Sequence, residues 1–325
     1  MRFVAWDDAA PVEGALSVDG VVPVGPNLSH WPGNRTPHHL KADTTVEIVL
    51  RAQSDPEGQR LLEGASAITN NHYDTDGLLS VALALDRRHW TDLEPLFVAA
   101  ARAGDLSLHG GEQAVILDLC VAGLVESDRS PLAAQLASLS GVERLQLSYD
   151  EALLRLPELV ANPRAYLEIW EEELAEIREG MAAFADGRAR VAARVEAADA
   201  SLVVSAVPLH GLPLWSHAGA SRVLVATAQP GGRHALELRY GLGSWFDLPT
   251  PPPPRRDLAP LQRALARLEP PGPGSWQLLG TLADFAPSLA LLDPDGAPVA
   301  SGLDPLAVFH TAAWHLRAAD GPTPR

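Results

Sequence analysis

Apolar positions along this chain fall in short blocks, and their spacing changes near residue 200. Before that point helical spacing dominates; after it, strand-like runs do. Residues 1–26 hold two apolar runs, RFVAW and GVVPV, which predict one or two strands. Pro32-Gly33 marks a turn, and Thr36 followed by Pro37 predicts an N-cap and a helix over about 37–53. GASAITN is a short apolar run after a glycine and predicts a buried strand; LLSVALALD, after Gly77, predicts a helix. Further helices are expected over 92–103, 111–126, 130–139 and 143–155, then a long one near 163–198. That last segment starts acidic and ends arginine-rich, as suits a helix dipole.

SLVVSAVP, SRVLVATA, HALELRY, GSWFDL, WQLLGTL and SLALLD read as strands. QPGGR and DPDG are turns, DLAPLQRALARLE and LDPLAVFHTAAWHLRAA are helices, and the tail GPTPR is expected to fray. PTPPPPRR is a stiff polyproline stretch that crosses a surface. The expected fold class is α/β. An N-terminal lobe with a mainly parallel sheet flanked by helices covers 1–160, a long connecting helix covers 161–199, and a smaller α+β lobe covers 200–325.

Composition narrows the partners. The chain has 325 residues and an apolar fraction of 46%, enough for a substantial core. No apolar stretch reaches the ~18 residues of a membrane span. The N-terminus carries acidic residues where a signal peptide needs basic ones, so a cytoplasmic protein is expected. The formal charge of −16 argues against double-stranded nucleic acid, whose phosphates need Lys and Arg. It allows a small phosphorylated molecule held through metal ions, and it leaves a homo-oligomer open. Cys120, the single cysteine, sits in an apolar run and excludes an internal disulfide. Lys41 is the only lysine among 25 basic residues, and a compact point charge there could hold phosphate.

The densest chemistry lies in ITNNHYDTDGLL. His72, Asp74 and Asp76 alternate, so in an extended segment they project from one side. The expected strand before and helix after place them in a strand-to-helix loop, where open α/β sheets gather ligands. Carboxylates with one imidazole suit Mn²⁺ or Mg²⁺. The competing reading is a capped turn, with Asp76 capping a helix through Gly77.

HYDTDG resembles the first motif of the DHH phosphoesterase superfamily, a strand followed by His-x-Asp-x-Asp-Gly and a helix. The resemblance implies that His72, Asp74 and Asp76 bind divalent metal, usually manganese. It further implies that two ions hold a phosphate and activate water, with Asp76 in a catalytic role. The superfamily's second motif supplies one Asp after the next strand; Asp105 is the best match by spacing, ahead of Asp118. The naming Asp-His-His motif is absent, and the only adjacent histidines are His38-His39. SHWPGN, TPxxLKADTTxEI, NNHxDxDGL and ARAGD together resemble an uncharacterised bacterial family, which brings no activity.

His30, Lys41 and Asp43 lie upstream as further candidates, and His39 with Asp43 forms an i, i+4 pair. His30 and Arg239 are expected to bind substrate, and Lys41 to assist catalysis. His210, His217, Arg222 and Trp245 could complete a clamp in the second lobe. No nucleophile elbow, Walker loop, His-Glu-x-x-His or complete dinucleotide fingerprint occurs. The resulting expectation is a metal-dependent phosphoesterase acting on a small phosphate ester or short nucleotide. The alternative is a degenerate relative that binds a nucleotide or protein partner without turnover.

Overall fold

The computed structural model describes residues 1–317; the tail GPTPR lies outside the described residues. Two compact units divide the chain. The first is Met1–Glu176 together with Phe246–Thr250; the second is Ile177–Trp245 together with Pro251 onward. No helix among the described residues is long and apolar enough to cross a membrane.

The first unit is built on a small parallel sheet in the order β2-β1-β3: β1 (Leu16–Val18), β2 (Asn27–Leu28) and β3 (Ile68–Thr69). All three strands are wholly buried, as parallel strands covered on both faces must be. Helices α1 (Thr45–Ala52), α2 (Pro56–Gly64) and α3 (Thr75–Trp90) come first. They are followed by α4 (Glu94–Leu106), α5 (Glu112–Glu126), α6 (Ala133–Leu136) and α7 (Gly141–Ala161). Helix α8 (Glu171–Ala185) carries the chain into the second unit.

Local chemistry explains the helix starts. The Thr44 hydroxyl caps α1, accepting from Glu47 N–H at 3.4 Å, and it lies 3.2 Å from the Glu47 carboxylate as donor. This start splits the helix expected over 37–53: a short 3-10 turn at His38–Leu40 precedes α1. Asp55 caps α2, with Pro56 at its first position.

Strand β1 lies in LSV rather than in the GVVPV run that follows, and RFVAW runs beside β3 through a parallel bridge from Phe3 to Ile68, with Val4 N–H donating to Ile68 O, Ile68 N–H to Arg2 O and Trp6 N–H to Asn70 O. Pro23 has no N–H to donate to a ladder, which disfavours pairing there.

The second unit contains a mixed sheet. Its strands are β4 (Ala189–Val195), β5 (Ala200–Ser205), β6 (Arg222–Gln229), β7 (Arg233–Tyr240), β8 (Ser275–Leu279) and β9 (Ser288–Leu292). The order is β4-β5-β6-β7-β9-β8, and β10 (Ala300–Ser301) pairs with β7. Strands β5 and β6 run parallel; the other pairs are antiparallel. Alternation along each strand splits the core. Leu224, Ala226, Leu236, Leu238, Leu289 and Leu291 pack on α10 (Ala259–Leu268) and α11 (Pro305–Leu316). Val203, Val223 and Val225 face Leu214 and Ala218 of α9 (Gly211–Ala218) on the other side.

The long helix expected over 163–198 is three elements instead: a 3-10 run at Pro163–Ile169, then α8, then β4. Gly187, at φ +83, stops α8, and the alternating ARVAARV segment pairs with β5 as an edge strand. Two arginines and a register shift protect that edge from further pairing. GSWFDL is no strand: a 3-10 turn covers Leu242–Ser244, and Phe246–Thr250 belongs to the first unit.

Arg222, only 2% exposed, ties the second unit together. Its guanidinium donates to the carbonyls of Ala198 (2.5 Å), Pro254 (2.6 Å), Pro253 (3.0 Å) and Leu316 (3.3 Å). It thereby fixes the polyproline stretch and the end of α11. Arg222→Met leaves four carbonyls without their donor and is expected to cost at least about 3 kcal/mol. A lower urea midpoint is the readout; an unchanged midpoint would show that water replaces the guanidinium at no cost.

Candidate metal centre

Each parallel strand of the first unit ends at the same place. Asp19 follows β1, His30 lies two residues beyond β2, and the Asn70–Asp76 segment follows β3. This is the carboxyl edge of the sheet, where α/β folds gather their ligands. Helix α4 adds Asp105 from its last turn. Asp19, His30, Asp76 and Asp105 bring one ligand atom each to within 4.8 Å of one another, and so do Asp19, His72 and Asp74. Asp19 belongs to both groups. The two groups together make two adjoining candidate cation positions that share one carboxylate.

The first position is closed. Side chains of Asp19, His30 and Asp76 are fully buried and Asp105 nearly so. His30 Nε2 lies 3.0 Å from Asp105 Oδ2, 3.5 Å from Asp76 Oδ2 and 3.7 Å from Asp19 Oδ1. The other ring nitrogen, Nδ1, is 2.7 Å from the Asp43 carbonyl. A carbonyl only accepts, so Nδ1 carries the proton and a neutral ring leaves Nε2 as a lone pair. A lone pair then faces three carboxylates, an arrangement that repels unless a cation or an added proton lies between them.

The second position is half-open: the side chains of His72 and Asp74 are 21% and 35% exposed. His72 Nε2 lies 2.8 Å from Asp19 Oδ2 and 2.9 Å from Asp74 Oδ2. Its Nδ1 is 3.1 Å from Asn71 Oδ1. Asn71 donates its own NH₂ to Val21 O, which fixes the amide so that its oxygen faces the ring. His72 therefore repeats the pattern of His30. Close as these atoms are, Asp19 Oδ2, His30 Nε2, His72 Nε2 and Asp105 Oδ2 are buried without an aligned hydrogen bond. They converge on a point instead of on each other. Orphaned nitrogen and oxygen atoms of this type fit Mn²⁺ or Mg²⁺ as ligands.

Surrounding groups hold the ligands in place. Both oxygens of Asp76 accept backbone N–H groups from the start of α1, Thr45 at 2.6 Å and Val46 at 2.8 Å. The helix dipole favours that negative charge. Thr45 Oγ1 donates to Asp19 Oδ1 at 2.8 Å. Asp74 Oδ1 caps α3 through Gly77 N–H at 2.8 Å, leaving Oδ2 toward His72. The capped turn and the ligand set are thus one structure, with Asp74 as the cap.

Tyr149 hydroxyl donates to the His72 carbonyl and accepts from Asn70. Glycine is required where this loop is tight. A Cβ on Gly77 would lie 2.7 Å from both Asn70 Nδ2 and Tyr149 Oη, and one on Gly20 would lie 2.2 Å from Asn71 Oδ1. Asp19 itself has φ +74, a left-handed conformation rare outside glycine and concentrated at functional sites.

Burial raises Asp76 well above the usual carboxylate range, with Asp19 and Asp105 adding like-charge repulsion. Asp105 is raised in the same way, by burial and then by Asp74 and Asp19. Burial also pushes Asp19 up, but the nearby His72, with help from His30 and the Thr45 hydroxyl, outweighs it and brings Asp19 down. Burial disfavours a charged His72; Asp74 and Asp19 overcome it and lift the imidazole well above its ordinary value.

The sequence candidates fall into two sets. His30, His72, Asp74, Asp76 and Asp105 come together in the cluster. Lys41 pairs with Asp247, and His39 lies 3.2 Å from Asp55 on the surface. Arg239 pairs with Glu237 on β7 in the second unit. Asp118 accepts the Thr75 hydroxyl at 2.6 Å. His210 caps α9, His217 lies against the Pro213 carbonyl, and Arg222 has the structural role given above. Asp19 lies outside the residues singled out from the sequence. Its signal, an apolar run ending in Asp-Gly, resembles the HYDTDG context but lies beside the more strand-like GVVPV.

Fold and cluster define a two-unit α/β protein with a candidate metal centre. The model of a family of unknown function, DUF6687, matches residues 1–298, and the chain belongs to that family. No curated protein and no solved structure matches the chain. The likeness to an uncharacterised family is thereby accounted for, while the resemblance of HYDTDG to DHH phosphoesterases gains no support from these comparisons.

The raised pKa values of His72, Asp76 and Asp105 have a consequence for ion binding. Without an ion these three groups hold their protons to higher pH than free side chains do, and a cation must displace those protons. Mn²⁺ affinity should therefore rise as pH rises, with proton release. Calorimetry in buffers of different ionisation enthalpy reads this directly. Binding that is independent of both pH and buffer would contradict it.

Proposed function

We propose that this chain is a divalent-metal-dependent hydrolase acting on a small phosphate ester. The observation that supports it most is the pair of histidines whose Nδ1 atoms lie within hydrogen-bond distance of oxygen acceptors while their Nε2 atoms meet buried carboxylates with no aligned hydrogen bond. Tautomer-setting contacts of this kind are what ligating histidines need. Asp19, His30, Asp76 and Asp105 would hold one ion, and Asp19, His72 and Asp74 a second. A bound pair of Mn²⁺ or Mg²⁺ ions supplies Lewis acidity toward a phosphoryl oxygen and makes water a better nucleophile.

The chain's own residues divide the remaining work. Asp76, locked by the two amides of α1, and Asp105 keep the closed side rigid and dry. His72 and Asp74 form the exposed side, where a substrate can approach. Trp31 stacks on the His72 ring at 4.2 Å and bounds that approach with an apolar wall. Lys41 is already paired with Asp247, and the cluster is itself rich in carboxylates. An anionic ester would thus depend on the ions rather than on a basic side chain.

Hydrolysis of bis(p-nitrophenyl) phosphate with added Mn²⁺ tests this. Turnover that a chelator abolishes, and that falls more than about 100-fold in Asp19→Asn, is expected. Turnover indifferent to both would remove the proposal.

A further inference from the structure

Phe246–Thr250 lies between β7 and α10 in sequence, yet it belongs to the first compact unit. Its first two residues touch a histidine of the metal cluster. Phe246, 6% exposed, stacks on the His30 ring with centroids 4.0 Å apart and planes at 17°. Asp247 N–H donates to the His30 carbonyl at 2.7 Å. The Asp247 carboxylate is held in turn: Lys41 Nζ pairs with its Oδ2, and Asn34 Nδ2 donates to the same oxygen at 2.9 Å. Asn34 Nδ2 also reaches the Trp31 carbonyl at 2.8 Å, so the tether returns to the residue next to His30.

These contacts restrain different motions of one side chain. The Asp43 carbonyl fixes the tautomer and the in-plane direction of the ring. The Phe246 face fixes the plane. Asp247 N–H fixes the backbone from which the ring projects. Imidazole torsions are intrinsically broad, so an unrestrained ring would swing Nε2 away from the carboxylates. Partners outside the ligand set commonly change metal affinity by ~10- to 100-fold.

We propose that Phe246 and Asp247, tethered by Lys41, act as a strap that positions His30 for cation binding. The strap rests on the reading of the cluster as a metal centre. It makes the affinity of that centre depend on a segment encoded far downstream, between two elements of the second unit. It also gives the only lysine of the chain a task in holding this segment.

The test is Mn²⁺ binding by the full chain, followed by paramagnetic resonance of the free ion, in Phe246→Leu, Lys41→Met, His30→Ala and the Phe246→Leu/His30→Ala double variant. Leucine keeps an apolar side chain against His30 but offers no flat face. Phe246→Leu should weaken Mn²⁺ binding about 10-fold or more, with an unchanged urea midpoint, and Lys41→Met should weaken it less. In the His30→Ala background, Phe246→Leu should cost nothing further, because its effect passes through His30. An equal loss with and without His30, or wild-type affinity in both Phe246→Leu and Lys41→Met, would overturn the strap while leaving the metal centre standing. A wild-type chain that binds no Mn²⁺ would instead overturn the metal centre on which the strap rests.

Discussion

The first unit is organised around a charge that its own side chains leave unbalanced. Asp19, Asp74, Asp76 and Asp105 converge at the end of a buried sheet, and the only imidazoles among them, His30 and His72, have Nδ1 placed to donate to other oxygens. Burying several carboxylates together is unfavourable without a cation or added protons. The nearby fold accepts this cost in order to hold the arrangement. The amides of α1 are committed to Asp76, the cap of α3 is a ligand candidate, and Asp19 adopts a left-handed backbone. A divalent ion at each position would resolve the electrostatics and engage Asp19 Oδ2, His30 Nε2, His72 Nε2 and Asp105 Oδ2.

The same constraint explains why the strands are short. A parallel sheet of two- and three-residue strands contributes little pairing by itself. What it does is bring three strand ends from distant parts of the sequence to one edge, with α4 adding a fourth element. The closed position then forms among fully buried groups, and the half-open one forms beside Trp31, where His72 and Asp74 retain contact with solvent. Such a difference in exposure suits one position that holds and one that exchanges with what lies outside.

Much of this was legible in the sequence where the signal was local. The α/β class, the strand before HYDTDG and the helix after it follow from apolar spacing and from one capping aspartate. Asp105, singled out by spacing, lies 3.0 Å from His30 Nε2. What could not be read was tertiary. Asp19 sits in a turn that any Asp-Gly pair could form, and only the parallel register of β1 with β3 brings it to His72. His30 offered no local sign that Asp76 and Asp105 would face it. GSWFDL reads as a strand because it holds the adjacent aromatics Trp245 and Phe246, yet Phe246 lies against an imidazole instead of in a sheet. The expected long helix failed on Gly187, whose positive φ ends α8 before the arginine-rich strand begins.

The central claim is that these buried carboxylates and histidines are ligands rather than a protonated cluster. The most direct measurement is anomalous diffraction at the manganese edge from crystals of the full chain soaked in Mn²⁺. The account predicts one peak among Asp19, His30, Asp76 and Asp105 and a second among Asp19, His72 and Asp74. No peak at either position, with His30 and His72 instead hydrogen-bonded to protonated carboxyls or water, would contradict it.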